Sequence, residues 1–173
     1  MDAETANPML RATRRIEHAS ALDGLVSVLR PYADLLVETP LRRDIFRGRW
    51  LGHSLHRMLT DLPIGFWTCA NVLDLAGPAG SSAAAQRLVG LGVLSAVPTA
   101  VAGAADWTAF DAPEDRRTGV THALGNSVAL AAFTASWFAR RQGREGLGRA
   151  LGYLGAAVAT GAGYLGGHLA EPH

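Results

Sequence analysis

Lysine is absent from the 173 residues: all sixteen basic positions are arginine, and against fifteen acidic groups they leave a formal net charge of only +1. So balanced a chain offers no basic field for a nucleic-acid backbone, whose binding rests on phosphate neutralisation. Cysteine is nearly absent as well. Cys69 stands alone, which excludes an internal disulfide, a zinc knuckle, a Cys-x-x-Cys redox pair and an iron–sulfur cluster carried by this chain, since each needs more than one sulfur. Also missing are the phosphate-binding Gly-x-x-x-x-Gly-Lys loop, the Gly-x-Ser-x-Gly nucleophile elbow and the His-Glu-x-x-His zinc helix. Without them the common nucleotide-hydrolysing, serine-hydrolase and zinc-protease classes have no footing.

What the chain does have is long uncharged runs. Eighteen uncharged residues separate Arg87 from Asp106, twenty-two separate Arg117 from Arg140, and twenty-one separate Arg149 from Glu171. About 20 helical residues at ~1.5 Å each span the ~30 Å hydrocarbon core of a bilayer. A fourth stretch near 62–80 is apolar except for Asn71 and Asp74. The expectation is an all-α fold: a four-helix transmembrane bundle at about 62–80, 86–107, 119–139 and 148–169. Its domain covers 60–173, and an arginine-rich arm covers 1–59. Glycine and alanine dominate the runs, and Gly148-x-x-x-Gly152, Ala159-x-x-x-Gly163 and Gly163-x-x-x-Gly167 are expected to bring helices close, as small residues do in lipid.

The arm is expected to hold an amphipathic helix over 8–30 that stops before Pro31, because Leu22, Leu25, Val26 and Leu29 recur at helical spacing. From Leu41, apolar Ile45, Phe46, Trp50, Leu51 and Leu55 alternate with Arg42, Arg43, Arg47 and Arg49, the layout of a helix in the headgroup plane or of a cytoplasmic helix packed on the bundle. Arginines near the span ends number seven on the side of the N-terminus and five on the other, which favours a cytoplasmic N-terminus in a bacterial inner membrane. Trp50, Trp107 and Trp137 fall at span boundaries as interfacial anchors, and Asp61, two residues before Pro63, has the position of a helix N-cap.

Four crossings bring one end of each helix to a common membrane face, and the unusual polar residues sit at those ends. His53 and His56 precede the first helix, Asp106 and Trp107 close the second, His122 and Asn126 open the third, and Tyr164 and His168 close the fourth. The pairs His122/Asn126 and Tyr164/His168 are four apart, so each projects from one side of its helix. Neutral imidazoles in a bundle interior are ligands for haem or for a metal ion. His56, His122 and His168 are the expected metal ligands, with His53 a substitute, and Asp106 and Asn126 would orient the imidazoles. A purely structural interfacial cluster and a proton pathway through Asp74 and Asp106 stay open beside this reading.

The series Gly52-His53-x-x-His56-x-Met58-Leu59-Thr60-Asp61-Leu62-Pro63-Ile64-Gly65, then Gly103-x-x-Asp106-Trp107, then His122-Ala123-Leu124-x-Asn126, then Gly166-Gly167-His168-Leu169 resembles a bacterial family of four-helix membrane proteins. That family is known as domain of unknown function 2231. Ser54 and Arg57 stand where it has proline after the motif histidines. The resemblance implies an integral membrane protein, and an association with Rieske-type iron–sulfur domains implies electron transfer. A Rieske-type partner is expected as a separate protein.

The expected function is therefore a small membrane protein that binds haem b or another metal for electron transfer. It would serve as a subunit of a membrane complex or a homo-oligomer rather than as a free-standing enzyme. The alternative is a non-catalytic membrane or docking subunit.

Overall fold

Asn7 accepts a hydrogen bond from Met9 N at 2.9 Å, and Pro8 follows at the first helical position, a favourable way to start a helix because proline has no N–H to leave unpaired. The helix so begun, α1 (Pro8–Glu17), is the first of seven in a computed structural model that describes residues 7–170. A 3-10 turn (Ser20–Leu22) leads to α2 (Asp23–Leu35), and α3 (Pro40–Phe46) is capped by Thr39. A second 3-10 turn (Arg49–Leu51) precedes four long helices: α4 (Leu55–Ala76), α5 (Ser82–Trp107), α6 (Pro113–Arg141) and α7 (Glu145–His168). Among the described residues there is no strand.

The arm differs from expectation in two ways. The helix expected over 8–30 is broken at His18–Leu22, and its second half runs through Pro31 to Leu35. The break lets Glu17 and Asp23 both reach the bundle. Arg117 grips Asp23 through Nε and Nη2 at 2.7 and 2.8 Å and donates to Glu17 O, while His168 Nε2 meets Glu17 Oε1 at 2.8 Å. Tertiary pairing outweighs the continuity of the apolar stripe. Nor does α4 wait for Asp61: Ser54 is its cap, accepting from Arg57 N, and Asp61 lies exposed one and a half turns in.

Helices α4 and α5 pack antiparallel, as do α6 and α7, and the two hairpins repeat each other residue by residue. Buried Pro63, Trp67 and Ala70 of α4 correspond, 66 positions on, to buried Ala129, Phe133 and Ser136 of α6. Ala85, Val89, Gly92 and Thr99 of α5 correspond, 63 positions on, to Gly148, Gly152, Gly155 and Ala162 of α7, and all eight are buried. The up-down-up-down order places α4 and α6 parallel on one diagonal, so equivalent side chains meet across a pseudo-two-fold axis along the bundle. Trp67 stacks on Phe133 with ring centroids 4.1 Å apart and planes 6° from parallel. Each ring lies against a glycine, Gly92 for Trp67 and Gly155 for Phe133, where a Cβ would intrude.

Further along the same diagonal Asp74 meets its equivalent, Arg140. Their side chains are 1% and 0% exposed and join by two hydrogen bonds of 2.9 and 2.5 Å. Arg140 Nε also donates to Ser136 Oγ, so the guanidinium fork is matched rather than merely neutralised. Gly148 and Gly152 leave the room for it. Gly163 and Gly167 meet nothing within 4 Å, so of the three small-residue motifs only Gly148-x-x-x-Gly152 packs inward.

Two prolines interrupt the ladders. Pro63 cannot donate to Leu59 O, and Thr99 Oγ1 takes that role at 3.2 Å, which keeps the carbonyl satisfied inside the bundle. Of the four expected spans, only Ser82–Trp107 is by length and composition apolar enough to cross a membrane. Arg57, Asp61 and Asp74 lower the apolarity of α4; His122, Asn126 and several Thr and Ser do so in α6; glycine does so in α7.

Candidate functional site

The same diagonal brings His56 and His122 together at the arm end of the bundle, ring centroids 6.3 Å apart and planes 89° to each other. They are equivalent residues, again 66 apart, and their settings match. His56 Nδ1 lies 2.9 Å from Thr99 O and His122 Nδ1 lies 2.7 Å from Ala162 O. A carbonyl can only accept, so both Nδ1 atoms carry the proton and both Nε2 atoms keep a lone pair. Four residues beyond each acceptor is a glycine against the ring. A Cβ at Gly103 would come within 2.9 Å of His56 Cε1, and one at Gly166 within 2.7 Å of His122 Cε1.

One difference breaks the symmetry. Asn126 Nδ2 donates to His122 Nε2 at 2.9 Å, whereas the equivalent of Asn126 in the first hairpin is Thr60, whose hydroxyl donates to His56 O. His56 Nε2 therefore has no such cover from its own helix. Asn126, expected to accept a hydrogen bond from a ligating imidazole, instead donates to the Nε2 of His122.

The other expected site residues lie elsewhere. His53 is exposed in the loop before α4, because the left-handed Gly52 turns the chain outward. His168 is drawn to Glu17. Asp106 accepts from Ser54 Oγ at 2.7 Å and ties the start of α4 to the end of α5. Trp107 packs on Gly119, donates to Arg116 O and lies under the Arg30 guanidinium; its ring is committed to the arm and the α5–α6 turn. Tyr164 is half-buried on α7, and no ring contact or hydrogen bond ties it to the pair. The expected four-histidine cluster is thus a two-histidine pair. Among the described residues no group of three or more His, Cys, Asp or Glu could hold a metal ion. Asp74, read as a proton-pathway residue, is closed in its pair with Arg140, and Cys69 faces outward from α4 rather than into the packing.

The arm closes over this end. Arg30 donates to Thr108 O and Phe110 O, and Arg47 to Ala105 O and Thr108 Oγ1, so two cations satisfy carbonyls that the end of α5 leaves unpaired. Sequence reasoning missed the hairpin repeat, whose signal is positional: large residues at 56, 67 and 74 recur at 122, 133 and 140.

No curated protein and no solved structure matches the chain. The profile of a family described as predicted membrane protein, domain of unknown function 2231, matches residues 52–173, which contain both hairpins and both histidines of the pair. The chain belongs to that family of membrane proteins.

Proposed function

We propose that the four long helices span a bacterial inner membrane and that His56 and His122 would hold a haem iron through their Nε2 atoms for electron transfer. The spanning reading is supported by what the bundle turns outward. Leu75 and Leu94 are 75% and 70% exposed, with Ile64, Val72, Val97, Val128 and Leu154 more than half exposed around them. Only a third of the apolar stretch of α5 is buried within the chain. A surface of this kind fits acyl chains better than water. At ~1.5 Å per residue even the shortest of the four helices is about 33 Å long, enough for the hydrocarbon core.

The observation that carries the site is the matched anchoring of the two imidazoles. Each Nδ1–H is fixed by a carbonyl of the next helix, which sets the tautomer, aims Nε2 and raises its basicity as a ligand. Each ring rests in a cradle that only glycine leaves open. A three-ligand zinc, copper or non-haem iron centre does not fit, because His168 and Asp106 are held away by Glu17 and Ser54. A pair of imidazoles is a donor set that haem iron takes, and haem held there would supply one-electron transfer at a potential set by its surroundings. Asn126 then has to release His122 Nε2, a rotation open to an exposed side chain. Arg42, Arg43 and Arg49 would give a separate redox partner a cationic face to dock on.

A reduced-minus-oxidised absorption spectrum of detergent-purified protein tests this directly; haem bands support it and their absence removes it. A second reading follows from Asn126 itself: with both nitrogens of His122 satisfied within the chain, the pair pins the helix ends of a non-catalytic membrane subunit. Under it His122→Gln lowers stability and leaves function intact.

A further inference from the structure

The loop between α3 and α4 makes a second site, distinct from the histidine pair. Gly48 and Gly52 both have φ of +72°, a conformation that costs other residues a steric penalty. At Gly48 a Cβ would also collide with the backbone of His53 and Leu55. The double turn leaves a shallow crevice of about 440 Å³, wide open to the surroundings and lined by Arg47, Gly48, Arg49, Gly52, His53 and Ser54. No acidic side chain lines it. Arg47 is fixed by its bonds to Ala105 O and Thr108 Oγ1 and stands in the field of Arg43, Arg49 and Arg30, with Asp106 opposing. Ser54 Oγ already holds Asp106. Arg49 is half exposed and pairs with Asp44 only at 3.4 Å on the surface, a contact of the weak kind.

We propose that this crevice binds a phosphate group, with Arg49 and His53 closing on it over the floor formed by Arg47 and the Gly48–Gly52 turn. Guanidinium groups match phosphate oxygens through paired N–H donors, and Gly52, with nothing within 4 Å of a Cβ, leaves the backbone open to close approach. The phosphate comes from an anionic lipid headgroup or from free phosphate; exposed Trp50, next to Arg49 in the turn, fits a position at the headgroup level. The claim is independent of any haem at His56 and His122.

The test uses the full chain in neutral detergent titrated with inorganic phosphate, and in phosphatidylcholine nanodiscs with and without phosphatidic acid. Binding is read by the shift in thermal midpoint. Saturable stabilisation by inorganic phosphate supports a free-phosphate site, and stabilisation by phosphatidic acid alone supports a headgroup site. Arg49→Gln with His53→Gln is expected to weaken the response at least about tenfold, the scale of losing charge-assisted hydrogen bonds. Arg87→Gln, an exposed arginine at the start of α5 and outside the crevice, is expected to leave it unchanged. No stabilisation by either source, an unaltered response in the double variant, or an equal loss in Arg87→Gln overturns the proposal.

Discussion

Trp67 and Phe133 stack at 4.1 Å, and each lies eleven residues after a histidine of the pair. Seven residues further come Asp74 and Arg140, also joined. One diagonal of the bundle thus carries an imidazole layer, an aromatic layer and an ion-pair layer, each made of equivalent residues from two hairpins. The glycines of α5 and α7 make room for them.

The cradles are the most exacting part of the histidine layer. Gly103→Ala and Gly166→Ala are each expected to destabilise the protein by about 1–3 kcal/mol, the usual cost of overpacking, and by similar amounts because the positions are equivalent. Gly163→Ala, where a Cβ meets nothing within 4 Å, is expected to be neutral or slightly stabilising, since alanine is the better helix former. Thermal midpoints in detergent check all three.

Removing one member of the buried pair leaves the other charge with only a longer contact, Asp74 with Arg149 at 3.6 Å or Arg140 with Glu145 at 3.9 Å. Asp74→Leu or Arg140→Leu is expected to cost up to about 3–5 kcal/mol, and the double variant carrying both much less than the two single losses together would imply. Denaturant unfolding of the four proteins closes the cycle. Additive losses would mean that the two side chains stand apart.

The arm is held partly by titratable contacts. The hydrogen bond from Arg117 holds the Asp23 carboxyl below its ordinary pKa, against a smaller opposing effect of burial. A lowered folded-state value means that Asp23 supports docking fully above the ordinary carboxylate range and loses that support as pH falls through the lowered value. The amide protection factors of residues 8–35, corrected for the intrinsic pH dependence of exchange, are expected to fall on acidification, and in Asp23→Asn to start low and lose that part of their pH dependence. Unchanged protection in the wild type would show that the Asp23 contact does not hold the arm.

The helices were legible because uncharged runs bounded by arginine are long-range features of composition. Their ends were less so: α4 begins at Leu55 because Ser54 caps it, a local hydrogen bond that competed with the equally good sequence signal of Asp61 before Pro63. The continuous arm helix failed for a different reason, since Glu17 and Asp23 answer to Arg117 and His168 about a hundred or more residues away. Topology placed four histidines at one end, and in the structure His56 and His122 meet there. It could not show that Gly52 sends His53 outward or that Glu17 takes His168 away.

The central claim is that His56 and His122 act as one ligand pair, and haem content per chain measures it most directly. Pyridine haemochrome assay of purified wild type, His56→Gln and His122→Gln is predicted to give one haem per chain in the wild type and none in either variant. A wild type free of haem, or a variant that retains it in full, would contradict the account.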